Sequence, residues 1–270
     1  MHFRSQLPPE YSQLLPTWFW NLDVPETKAT CDNCAMAPGR TRSRKTYQPD
    51  LKCCTFYPFL PNFLVGAILS QDRYVEGQKV IRDLIARRQY ALPIGLVPPV
   101  RYQLDFVANK AEGFGQREDW LCPYYNREKE LCNVWHYRGV VCTTYFCKSS
   151  FAKAGEKFWA QTSDYLSYFE MALMEECLVM LDFSPRQVSD LLGYLNRETG
   201  TAAEKKSWVI PEAKSKELWN GYYKEQEQFY INCYNLVRKL KRPELEELMG
   251  ELGSRLEQQV KLSAKGLGLL

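Results

Sequence analysis

Eight of the chain's ten cysteines fall within its first 150 residues, in two bursts, and this crowding constrains the fold more than any other feature. The first burst is Cys31-x2-Cys34 followed by the adjacent pair Cys53 and Cys54. The second is Cys122, Cys132, Cys142 and Cys147, in a run rich in Tyr and Trp. Thiols so closely spaced are metal ligands or disulfide partners, and either role pins loops together.

Compartment separates the two roles. Met1 to Ser12 is polar and proline-containing, without the apolar stretch of a secretory signal. The longest apolar run, Phe59 to Leu69, contains Pro61 and Asn62 and is too short to span a bilayer. The expected location is therefore the cytoplasm, where reducing thiol pools oppose disulfides. Ten cysteines in 270 residues also lie well below the density of disulfide-held scaffolds. Metal ligation is the expected role, with a secreted disulfide protein as the alternative. The 35 basic and 32 acidic residues nearly cancel, so neither a membrane nor a nucleic-acid partner is expected. Other partners are unknown from the sequence.

Cys31-x2-Cys34 lets two sulfurs grip one ion from a tight turn, as in zinc and iron–sulfur sites. Cys53 and Cys54 add a geometric constraint. In an extended segment adjacent side chains point to opposite sides, so the pair is expected to serve two metals or two irons of one cluster. Eight thiolates then suit two four-cysteine sites, or a cluster and a separate ion. The aromatic residues between the later cysteines are expected to shield the site from water. His136 lies within the second burst and is expected beside the metal or at the surface. Cys177 and Cys233 lie on apolar helix faces and are expected in the core.

The pattern of the whole chain is mainly α. Proline and glycine recur through residues 1–150, which read as a loop-rich, cysteine-cluster metal-binding half. A helix is expected over Gln78–Gln89, and Arg101–Val107 alternates as a short strand would. Residues 151–270 read as a bundle of about four helices packed beneath that half, the two regions forming either two units or one continuous domain. Leu166, Phe169, Leu173, Cys177 and Met180 recur at helical spacing in the first of these helices. Ser184-Pro185 starts the second, and 197–210 reads as a loop. A long third helix is expected over Pro211–Lys241, with Trp219, Tyr222, Phe229, Cys233 and Leu236 on one face. Pro243 opens the last, carrying Leu245, Leu248, Leu252 and Leu256, with fraying expected after Ser263.

The cysteine motifs resemble the YkgJ-like cysteine-cluster family, described as a zinc- or iron-chelating domain. Cys31, Cys34, Cys53 and Cys54 resemble that family's early group. Trp120-Leu121-Cys122-Pro123-Tyr124 resembles its middle element, and Cys132-Asn133-Val134-Trp135 with Arg138-Gly139-Val140-Val141-Cys142 its later ones. Eighteen residues separate Cys34 from Cys53, a longer gap than the family's, and Gly139 stands where it has proline. The resemblance covers about residues 31–147 and implies metal binding without a reaction.

Two functions follow as expectations. One is a cytosolic protein whose cysteines hold zinc or an iron–sulfur cluster for structure or interaction. The other is an iron–sulfur redox or protein-modifying enzyme, in distant parallel with the flagellin lysine methylase. No catalytic residue is identified, and no G-x-S-x-G or HExxH motif is present. Gly113-Phe114-Gly115 lacks the third glycine of a dinucleotide fingerprint. The basic run Arg40, Arg42, Arg44 and Lys45 is expected to be a solvated loop.

Overall fold

A helix apolar on every side is stable only when other elements surround it, and the longest apolar run of this chain forms one. In the computed structural model, which describes residues 1–26, 34–39, 46–147, 149–196, 202 and 204–270, α1 is Thr17–Trp20 and α2 is Asn62–Leu69. Every residue of α2 is buried. Asn62 accepts the Phe63 N–H at 2.7 Å, and its amide donates to the Pro93 and Met174 carbonyls at 3.1 and 3.2 Å. These bonds satisfy a polar side chain that would be costly to bury alone.

Further helices are α3 (Val75–Ala86), α4 (Val100–Gly113), α5 (Val140–Thr144), α6 (Ala152–Met180), α7 (Pro185–Asn196), α8 (Glu212–Leu218), α9 (Gln226–Val237) and α10 (Arg242–Gly266). The protein is mainly α-helical among its described residues, with single-turn 3₁₀ segments between. Strands β1 (Leu60–Pro61), β2 (Ala91–Leu92) and β3 (Gly95–Leu96) form a small antiparallel sheet in the order β1-β3-β2. A separate hairpin pairs β4 (Tyr125–Asn126) with β5 (Leu131–Cys132). No described helix is long and apolar enough to cross a membrane.

α2 lies principally against α9 and also against α6, which in turn packs against α10. One cluster of buried apolar side chains runs from Phe3 to Ala264. The N-terminal segment joins it through ring contacts onto α6, Phe3 to Trp159 at 5.1 Å and Phe19 to Tyr165 at 5.6 Å. Cys177 and Cys233 face each other between α6 and α9, almost fully buried, with the Cys177 thiol donating to the Cys233 carbonyl at 3.5 Å.

Several local expectations change. Residues 101–107 are helical, not a strand. Pro98 and Pro99 lead into α4, where Pro99 is the cap, and the side chains turned inward, Tyr102 and Phe106, are four apart. The apparent alternation fails at Leu104, which is exposed. The long helix expected over 211–241 is broken. Asn220 and Gly221 have positive φ after α8, a helix-stop geometry that Asn and Gly adopt at low cost, and a single 3₁₀ turn precedes α9. The apolar face still holds, since Trp219, Phe229 and Cys233 are completely buried. In α10 the backbone kinks at Gly250, so Leu248 and Leu252 are exposed while Leu245 and Met249 are buried. The tail is not frayed from Ser263, because buried Val260 and Ala264 carry the helix to Gly266. The start of α7 is as expected and carries a reciprocal cap. Gln187 accepts the Ser184 N–H at 2.8 Å, and the Ser184 hydroxyl accepts the Gln187 N–H at 3.4 Å.

Glu170 of α6 is buried in this core, where the Tyr11 hydroxyl donates to it at 2.7 Å. Burial pushes its pKa from the ordinary 4.5 up to about 8, with the Tyr11 bond acting against the rise. A carboxyl raised on folding contributes stability below its unfolded pKa and loses it as pH rises through the folded one. The Glu170→Gln variant is therefore expected to gain on the parent between pH 4.5 and 8, by on the order of a few kcal/mol. Denaturant titrations across that range check this; a stability difference independent of pH would contradict it.

Candidate functional site

Seven of the eight expected ligands meet at one place. Cys34, Cys53, Cys54, Cys122, Cys132, Cys142 and Cys147 all line a single cavity of about 360 Å³. The eighth, Cys31, and the basic run from Arg40 to Lys45 lie outside the described residues. No disulfide joins the described cysteines.

Short-range backbone structure gathers these residues. Cys34 opens a turn in which its carbonyl accepts the Ala37 N–H at 3.2 Å. Cys53 and Cys54 lie in consecutive turns, not in an extended segment. Lys52 has a φ of 56°, the Cys54 N–H donates to Leu51, and the Phe56 N–H donates to Cys53. The premise that put the pair on opposite sides does not apply, and both residues line the same cavity. The two bursts are stitched directly together, since the Cys122 N–H donates to the Cys54 carbonyl at 2.7 Å. The hairpin then sets Tyr125 opposite Cys132.

Cys142 is carried by α5, whose N-cap is Gly139. A Cβ at Gly139 would overlap the Phe59 carbonyl and lie 3.3 Å from the Pro58 Cβ. Packing against residues 58 and 59 thus explains glycine at this position, where proline would clash. Beyond α5 the hydroxyls of Tyr145 and Tyr47 are 2.7 Å apart, which fastens the segment leading to Cys147 against the strip that follows Thr46.

Aromatic side chains form much of the remaining wall, including Tyr124, Tyr125, Trp135, Tyr145 and Phe146. His136 is not among the lining residues; its Nδ1 is 2.7 Å from the Tyr74 hydroxyl. Among the described residues three cations line the cavity, of which Lys110 is exposed, and the two buried ones, Lys52 and Arg138, had no role assigned from the sequence. Lys52 is buried, donating to the Tyr125 hydroxyl at 3.1 Å and pairing with Glu130 at 3.3 Å. Arg138 is buried too, its guanidinium 3.7 Å over the Trp135 ring and donating to Gln6 at 2.6 Å. Lys52 directly precedes the cysteine pair and Arg138 directly precedes Gly139, but no rule of spacing marks a buried cation.

The chemistry of the wall is that of clustered soft donors beside fixed positive charge. Burial pushes the Cys122 thiol well up, and the neighbouring Cys132, Cys142 and Cys53 push it further. Crowded buried thiols resist ionising together unless a cation joins them. Among the described residues, no three His, Cys, Asp or Glu side chains are grouped closely enough to hold an ion as placed. The cysteines thus share a cavity without forming a closed coordination shell. The chain matches no family model, no curated protein and no solved structure.

Proposed function

We propose that the chain is a cytosolic metal-binding protein whose cysteine cavity holds zinc or an iron–sulfur cluster, mainly for structure or interaction. The observation that carries this reading is the convergence of seven cysteines, separated by up to 113 positions of sequence, on one cavity. Thiolates are the preferred donors of both groups. Lys52 and Arg138 help offset the negative charge of several thiolates. Metal would draw the sulfurs inward, and its binding energy would order the turns that carry them. The resemblance of the cysteine motifs to the YkgJ-like cysteine-cluster family points the same way.

A second reading, an iron–sulfur redox or protein-modifying enzyme, is favoured by the dimensions of the site. A structural zinc ion is enclosed by four ligands. Here seven cysteines border about 360 Å³, room for a multinuclear centre.

Anaerobic purification followed by an absorbance spectrum and metal analysis tests both. Colourless protein with stoichiometric zinc supports the first reading and ends the second. Brown protein that bleaches with dithionite establishes the iron–sulfur branch. Protein that binds neither metal overturns the proposal.

A further inference from the structure

A second cavity, of about 460 Å³, adjoins the cysteine cavity and shares Phe56, Pro58, Phe106 and Val141 with it. Its size falls in the range of small-molecule pockets. Tyr102 and Phe106 of α4 lie nearly parallel along its wall, 5.6 Å apart and inclined by 28°. The Tyr102 hydroxyl is engaged with backbone, donating to the Thr55 carbonyl and accepting the Tyr57 N–H, both at 2.9 Å, so the residue offers its ring. Gln103 donates to the Pro98 and Tyr194 carbonyls at 2.6 and 3.0 Å, which commits its amide hydrogens elsewhere.

Glu170 is the one acid on this lining among the described residues, alongside the neutral hydroxyls of Tyr57 and Ser167. Its side chain is more than nine-tenths buried yet borders the cavity, and Tyr11 is its hydrogen-bond partner among the described residues. No Lys or Arg lines the cavity among the described residues. An isolated carboxylate in such surroundings is costly, so the group is held as the neutral acid, in keeping with a pKa raised to about 8. One carboxyl oxygen accepts the hydrogen bond from the Tyr11 hydroxyl. The acid's own proton remains to be donated.

We propose that this cavity binds an uncharged, mainly aromatic or apolar organic molecule bearing one hydrogen-bond acceptor, a ring nitrogen or carbonyl, to which Glu170 donates. An anion would find no positive partner there. A cation would require the carboxyl to ionise first. Exposed Val107 and Val141 rim the opening and would cover the outer part of such a ligand. The inference rests on this cavity alone and stands whether or not the cysteines hold metal.

Three probes of one shape test it on the full chain as purified, by calorimetry at pH 7: quinoline, naphthalene and N-methylquinolinium. Quinoline is expected to bind about tenfold more tightly than either of the others, the worth of one hydrogen bond made in a dry site. Glu170→Leu is expected to remove the preference for quinoline over naphthalene. Val107→Trp, at an exposed position that leaves the core intact, is expected to abolish binding of all three. Tightest binding of N-methylquinolinium, no binding by any probe, or binding unchanged in Val107→Trp would each overturn the proposal.

Discussion

Replacing Gly66 with alanine is expected to destabilise the protein by about 3–5 kcal/mol, lowering its thermal midpoint by about 10 °C or more. Gly66 lies in the middle of α2, where a Cβ would overlap the Tyr230 carbonyl and meet the Tyr234 Cβ at 2.9 Å. The obstacle is mainly the backbone of another helix, so no side-chain rotation relieves it. α2 and α9 would have to separate, and α2 is buried along its whole length. Gly266, at the end of α10, has no atom within 4 Å of its Cβ position. Gly266→Ala is therefore the matched control, with a midpoint equal to or slightly above the parent's. Equal midpoints for the two variants would show that α2 and α9 do not approach this closely.

Removal of metal by a strong chelator is expected to lower the thermal midpoint by more than 10 °C and to expose the amides of residues 46–57 and 120–147 to hydrogen exchange. These segments form the walls of the cysteine cavity. They contain turns, a two-residue hairpin ladder and the five-residue α5, too little regular structure to hold their six cavity thiols in place. Structural zinc supplies roughly 10–16 kcal/mol in small zinc-dependent folds, so even a fraction of that is visible in a melting curve. The effect should pass beyond the cavity, because Phe59 next to α2 packs on Gly139 next to α5. An unchanged midpoint and unchanged exchange after complete metal removal would contradict the structural role.

How much of this was legible in the sequence depends on the range of each interaction. Clustered thiols are a local signal, and seven of the eight residues they marked do share a cavity. The Cys54–Cys122 backbone bond that joins the bursts spans 68 positions and has no local signature. The adjacent cysteines were misread because an extended backbone was assumed where turns occur. Arg101–Val107 showed alternation over too few residues to tell a strand from a helix, and the proline pair upstream was the better guide. Asn220-Gly221 carried a readable stop signal within an apolar stripe that otherwise continued.

Glu170 illustrates what sequence cannot convey. On an amphipathic helix a glutamate reads as part of the wet face. Here Tyr11, 159 residues earlier, folds over it and seals it into the core. Gly66 is similar, since its need for hydrogen in place of a methyl group comes from a carbonyl 164 positions later.

The most direct measurement of the central claim is the metal content per chain after anaerobic purification, for the parent and two double variants. The parent and Cys177→Ala/Cys233→Ala, which alters only the core thiols, are expected to carry the same stoichiometric zinc or iron. Cys53→Ser/Cys122→Ser, which removes one cavity thiol from each burst, is expected to lose most of it. A parent free of both metals, or a cavity variant that keeps its full content, would contradict the assignment of the cysteine cavity as a metal centre.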